Sequence, residues 1–353
     1  MSTYSDRTPN NRANGRAQIY AQMGPLRDLL AQPGVFECCI NKPGTTWVET
    51  AAGWVQHVTP DLTFERLRGL ALALASWNAD SVSAEKPILS AIAPDGERVQ
   101  FVLPPAVDAG LISMTIRRPS DATFSLAELG TKGLFGTVAK YASGQGLGAD
   151  TMTAELRELY DSGDVEAFLA RAVKGRKNIL ISGATGSGKT TLSKALIAQI
   201  PLNERIITIE DTPELVIPHP NCVALKYSKD AGRGKVTPQQ LLESCLRMRP
   251  DRILLQELRD GTAFYYIRNV NSGHPGSITT VHADSCALAF EQLTLLVKQS
   301  EAGSDLDRSD IRSLLQHSID VVVQCKRAGA AFRVTELWYG LAARAQTVDM
   351  ATA

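Results

Sequence analysis

The apolar positions Ile19, Tyr20, Met23, Leu26, Leu29 and Leu30 recur every three or four residues, the spacing of one helix face. The period then shortens. Val35 to Ile40, Thr45 to Glu49 and Trp54 to Val58 are short runs of strand-forming residues, punctuated by Asn41-Lys42-Pro43-Gly44 and Ala52-Gly53, and they predict a strand meander. Phe64 to Trp77 is a strongly apolar helix. Ile88 to Ala93 and Arg98 to Leu103 face each other across Pro94-Asp95-Gly96-Glu97, and Leu111 to Arg117 is a last strand. Residues 16–118 therefore predict an α+β domain with a mostly antiparallel sheet, its Trp47, Trp54 and Trp77 serving the core or an interface. Ahead of it, residues 1–15 are rich in Asn, Arg, Ser and Thr without periodicity and read as a mobile tail. Behind it, residues 119–150 carry many Gly, Ser and Thr and only a weak helical pattern, which is a linker signal.

From residue 151 onward strands and helices alternate. A helix near Glu155 to Lys174 precedes the strand Asn178 to Ser182. Strands follow at Arg205 to Glu210, Val223 to Tyr227, Arg252 to Gln256 and Ser277 to His282, with helices from Pro238, Thr262 and Ser285 between and after them. The helix at Pro238 has Thr237 as N-cap, proline at its first position and Gln240 where a capping box needs it. Ile319 to Lys326 and Phe332 to Tyr339 form a terminal hairpin. Such alternation predicts an α/β domain over 151–353 with a largely parallel sheet covered by helices on both faces.

One stretch organises this second domain. Gly183-Ala184-Thr185-Gly186-Ser187-Gly188-Lys189-Thr190 fits the P-loop spacing G-x-x-x-x-G-K-S/T, and it joins an apolar strand to the helix that begins around Thr191. Glycines at Gly183, Gly186 and Gly188 let successive N–H groups turn inward at a helix N-terminus, a nest for phosphate oxygens. Lys189 is expected to reach the β- and γ-phosphates, and Thr190 to offer its hydroxyl to Mg²⁺.

Two acids end apolar strands downstream: Glu210, followed by Asp211 and Glu214, and Glu257. In a parallel sheet ligands gather at the carboxyl ends of strands, so both should converge on the phosphate site. ATP hydrolysis needs one group to hold the metal and another to orient or deprotonate water. His274, in a turn, and His282, at a strand end, are candidates to contact the γ-phosphate or a catalytic glutamate. Arg98 and Arg117, in the first domain, are candidate charges that enter a site when subunits close. Arg247, Arg249, Arg252 and Arg259 flank Glu257 in sequence without sorting themselves into roles.

Composition narrows the classes. The 37 basic and 37 acidic residues balance, so no global field draws the chain to nucleic acid, which is not expected as a strong direct ligand. The six cysteines show neither a C-x-x-C pair nor metal-ligand spacing, so reduced thiols and no zinc are expected. No apolar run approaches the roughly 18 to 20 residues of a membrane span, which predicts a cytosolic protein.

These motifs resemble the secretion ATPases of type II and type IV systems. Gly183 to Thr190 is similar to the family's Walker A motif, Arg205 to Glu214 to its aspartate box, Leu246 to Arg259 to its atypical Walker B region and Gly273 to Ala283 to its histidine box. Gly96 to Gln100, Pro104-Pro105 and Met114 to Arg117 resemble its amino-terminal domain. The match looks closest to the traffic ATPases of type IV secretion and conjugation, since the tetracysteine module usual in type II enzymes is absent. The resemblance implies a RecA-like P-loop NTPase domain and a homo-hexameric ring docked on inner-membrane secretion components. It also implies ATP and Mg²⁺ held by Gly183 to Thr191, water activation by Glu210, a Mg²⁺ shell at Glu257, and phosphate contacts from Arg98 and Arg117. The chain departs from the pattern at Gln256, where the family commonly has glycine.

The expected function is thus a ring ATPase that drives substrate or pilus subunits through a membrane complex. The rivals are a pilus assembly or retraction motor, a nucleic-acid translocase and an ATP-gated scaffold with little turnover.

Overall fold

The computed structural model describes residues 9–118, 125–131, 151–227, 236–329 and 331–340. Helices α1 (Pro9–Met23) and α2 (Pro25–Ala31) precede strands β1 (Glu37–Lys42), β2 (Gly44–Thr50) and β3 (Gly53–Thr59). Helix α3 (Phe64–Trp77) leads to β4 (Ile88–Ile92), β5 (Arg98–Val102) and β6 (Ser113–Arg117). These strands form one six-stranded sheet in the order β3-β2-β1-β6-β5-β4, antiparallel throughout. The β1–β6 pair, which sequence adjacency could not announce, joins the two meanders. Ile19, Met23 and Leu26 meet Leu67, Leu70 and Leu74 of α3 in the core over this sheet. Helix α1 begins at Pro9, inside the stretch read as a tail. Its polar first turns give no apolar period, but the helix is anchored further on: Arg16 and the Tyr20 hydroxyl both donate to Asp95 at 2.6 Å.

Of the stretch read as a linker, α4 (Leu126–Thr131) is a short helix, and residues 119–124 and 132–150 lie outside the described residues. The second domain starts with two helices instead of the expected one, α5 (Thr151–Ser162) and α6 (Val165–Lys174). Gly163, at φ 76°, ends the first, and the Asp164 carboxylate caps the second by accepting from Ala167 N. Then follow β7 (Ile179–Gly183), α7 (Lys189–Ile197), β8 (Ile206–Glu210), β9 (Cys222–Lys226), α8 (Pro238–Cys245), β10 (Arg252–Leu255) and α9 (Thr262–Asn271). The chain continues through β11 (Ile278–Val281), α10 (Cys286–Lys298), α11 (Arg308–Ser318), β12 (Val321–Ala328) and β13 (Ala331–Tyr339).

Two parallel groups, β10-β8-β9 and β11-β7-β12, meet at a parallel bridge between Glu257 and Thr280, and β13 closes the far edge antiparallel to β12. Strands buried on both faces read as unbroken apolar runs. Ile207, Ile209 and Ile253 pack toward α8 to α11, whereas Ile206, Leu254 and Ile181 pack toward α5 to α7.

The first domain rests on the second through Val102, Ala106 and Val107, which join the core on the α8 face. Polar ties surround them: Gln100 Nε2 donates to Ser244 Oγ at 3.0 Å, Arg205 Nη1 to Asn41 Oδ1 at 2.7 Å, and Arg249 to the Glu49 carboxylate at 2.5 and 3.1 Å. Arg205 and Arg249 stand just before β8 and β10, so the contact involves the amino ends of these strands, opposite the end that carries the P-loop. No helix among the described residues is long and apolar enough to cross a membrane, and the cysteines are free.

Candidate nucleotide site

Strand β7 runs straight into the glycine-rich loop and the loop into α7, as the spacing predicts. Two of the glycines have no substitute. A Cβ on Gly183 would fall 2.5 Å from the Cys325 carbonyl oxygen on β12, and Gly188, at φ 92°, is the left-handed residue that opens the helix. Ala184, Thr185 and Gly186 are exposed at the loop crest, Ser187 is buried beneath it, and Thr191 is exposed on the first turn of α7.

Lys189 is buried, and its ammonium donates to the carbonyls of Gly183 at 2.7 Å and Ala184 at 3.0 Å. Burial pushes its pKa below the usual lysine value, with the Glu257 carboxylate pulling the other way. A lysine parked on loop carbonyls is a charge waiting for a phosphate. It lines a cavity of about 280 Å³ together with Thr185, Gly186, Thr190, Glu214, Gln256, Glu257, Arg259, Thr280 and His282.

Glu257 is delivered by the end of β10 and largely buried. Arg259 grips one of its oxygens and also reaches Asp211 Oδ2 at 2.9 Å. The other oxygen, Oε1, lies 2.8 Å from His282 Nε2 without an aligned hydrogen bond. His282 Nδ1 stands 3.4 Å from the Lys189 ammonium, so the ring links the lysine and the acid. The Gln256 carbonyl accepts from Thr280 Oγ1, which ties the Glu257 backbone to β11, while the Gln256 side chain lines the cavity.

The structure changes two of the expected placements, those of Glu210 and His274. Glu210 is buried at the end of β8, but its Oε2 accepts from Glu214 N at 2.8 Å and Leu215 N at 2.9 Å, and its Oε1 from Thr208 Oγ1 at 3.2 Å. It braces the following loop and does not line the cavity. Of the acids that follow β8, Glu214 does line it, and its Oε2 accepts from Thr190 Oγ1 at 3.3 Å. His274 sits before β11, at the amino end of the sheet, with Nδ1 3.2 Å from the Pro250 carbonyl; burial holds its pKa below the usual histidine value. Arg98 and Arg117 pair across β5 and β6 and line a different cavity, of about 630 Å³, with Glu37, Glu49, Arg118 and Arg249. Neither arginine lines the P-loop cavity among the described residues. The sequence pattern carries no role for Glu214 or Arg259, although Glu214 lies four residues after Glu210 and Arg259 two after Glu257.

A family model described as type II/IV secretion system protein matches residues 148–338. The type IV secretion system protein VirB11 of Bartonella quintana is 54% identical over 331 residues, covering 92% of this chain and 93% of its own. The chain belongs to the VirB11 family. The VirB11 of Brucella suis is 43% identical over 348 residues, 96% of this chain and 95% of its own. The crystal structure of the VirB11 ATPase from the Brucella suis type IV secretion system in complex with sulphate superposes with a TM-score of 0.88 at 42% identity, covering 96% of this chain and 99% of that one. Family membership bears out the secretion-ATPase resemblance read from the P-loop, the acidic strand ends and the histidine box. The RecA-like core behind a smaller α+β domain follows with it.

Proposed function

We propose that this VirB11 family member hydrolyses ATP to ADP and phosphate at the P-loop, with Mg²⁺, as a cytoplasmic homo-hexameric ring on the inner-membrane side of a type IV secretion complex. The observation that carries the reading is the convergence of Lys189, Thr190, Glu214, Glu257 and His282 on one cavity at the carboxyl ends of parallel strands. Mg²⁺ fits this donor set: Glu257 Oε1 is buried without an aligned donor, and the Thr190 hydroxyl and the Glu214 carboxylate share the cavity. Thr190 and Glu257 would hold the ion, which when bound would neutralise charge on the phosphates.

The protein's own groups supply the rest. The loop amides bind phosphate at the start of α7, and Lys189 exchanges its two carbonyl partners for the β- and γ-phosphates. Arg259 holds Glu257 from one side, and His282 stands 2.8 Å from its other oxygen. Glu214, on the loop braced by Glu210, takes the proton of the attacking water. Arg98 and Arg117 are assigned to a neighbouring subunit's site, since within one chain they line a separate cavity.

ATP turnover of three variants tests this reading. Lys189→Ala should abolish hydrolysis. Glu214→Gln should lower kcat about a hundredfold or more with ATP affinity little changed, the scale of a lost general base. Glu210→Gln keeps one carbonyl oxygen for the backbone amides and should lose less. A larger loss in Glu210→Gln than in Glu214→Gln would return water activation to Glu210, and unchanged turnover in Lys189→Ala would reject the site.

A further inference from the structure

The cavity accounts for the phosphate end of a nucleotide, and its chemistry lies on one side of β7. Strand β11 is that side's neighbour and carries Thr280 and leads to His282; β10 beyond it leads to Glu257. The γ-phosphate therefore belongs to the β11 side. A nucleotide whose phosphates lie along the loop must send its base away from these groups, toward the other neighbour of β7. That neighbour is β12, paired in parallel from Val321 with Ile179 to Cys325 with Gly183, and it continues past the sheet into the hairpin with β13.

An aromatic side chain stands there. Phe332 opens β13 opposite Arg327, and its ring lies against the phosphate loop: a Cβ built on Gly188 would fall 2.7 Å from Phe332 Cγ and 3.1 Å from Cδ1. Yet the side chain is 53% exposed. Val334, two residues on and so on the same face of the strand, is 40% exposed. An aromatic ring that touches the P-loop backbone while leaving much of its surface open is a platform without a layer on top. The core does not need it, since Phe332 belongs to none of the buried clusters among the described residues.

We propose that Phe332 stacks on the nucleobase of the bound nucleoside triphosphate, with Val334 as the adjoining apolar surface. Stacking on an aromatic face strengthens base binding about tenfold and tolerates any base, because every base has a π face. The hairpin tip is thereby a specificity element for nucleotides over bare polyphosphate, with weak discrimination between adenine and guanine.

This inference rests on the nucleotide reading of the P-loop, and one experiment separates the two. Isothermal titration of the full chain with MgATP and with magnesium tripolyphosphate compares wild type, Phe332→Ala and Phe332→Tyr. Phe332→Ala should weaken MgATP about tenfold and leave tripolyphosphate within twofold; Phe332→Tyr should restore ATP binding. Equal weakening of both probes would make Phe332 a support for Gly188, and no weakening of either would place the base elsewhere; each result overturns the proposal alone. A wild-type chain that binds neither probe would overturn the P-loop reading as well.

Discussion

Glu37 is a carboxyl whose ionisation is at odds with its surroundings. It begins β1 opposite Arg117, is 4% exposed, and burial together with the nearby Glu49 carboxylate raises its pKa to about 7, against the pull of Arg117 and Arg249. The folded state thus keeps the proton between the ordinary glutamate value and about 7, where the unfolded chain has released it. Stability from this group is complete below the ordinary value and is lost as pH rises through about 7, by up to about 3 kcal/mol. Denaturant unfolding of Glu37→Gln across pH 5 to 8 should lack that fall and exceed wild type most at the alkaline end. Parallel curves for the two proteins would refute the assignment. At this scale the sequence was legible where a spacing demands its residues, as from Gly183 to Thr190. It was not legible for the two histidines of one box: the four residues of β11 separate them, so His282 meets Glu257 and His274 meets the Pro250 carbonyl at the other end.

Elements whose ends carry chemical punctuation were also readable. Helix α8 has the whole capping box: Thr237 Oγ1 accepts from Gln240 N at 3.2 Å, and Gln240 Oε1 accepts from Thr237 N at 2.9 Å. Thr237→Ala removes the first of these and should cost about 1 kcal/mol, seen as a lower denaturation midpoint with unchanged slope. The effect extends past the helix, because Ser244 on α8 receives the hydrogen bond of Gln100 from the first domain. Where punctuation is weak the sequence pattern is ambiguous. The sequence pattern runs across the break at Gly163 as one helix, and it misses the opening turns of α1 because hydrophobic periodicity does not register polar helical turns.

Arg98 and Arg117 stand opposite each other on β5 and β6, both exposed, and line a cavity apart from their own chain's P-loop cavity. If they complete a neighbour's site, turnover per chain should rise with protein concentration as rings assemble. Arg98→Ala/Arg117→Ala should then assemble as wild type does while staying at the low basal rate; turnover per chain that stays constant from monomer to ring would remove them from catalysis. By itself the sequence determined the parallel core, the antiparallel first domain and the loop that holds phosphate, because period, punctuation and glycine spacing are local properties of the chain. Only the tertiary structure decided that Glu214 and not Glu210 faces the cavity, that Arg259 and His282 flank Glu257, and that Phe332 overhangs Gly188. Those relations depend on which strands are neighbours and on which end of the sheet each loop leaves, and strand order is set by packing between segments far apart in the chain.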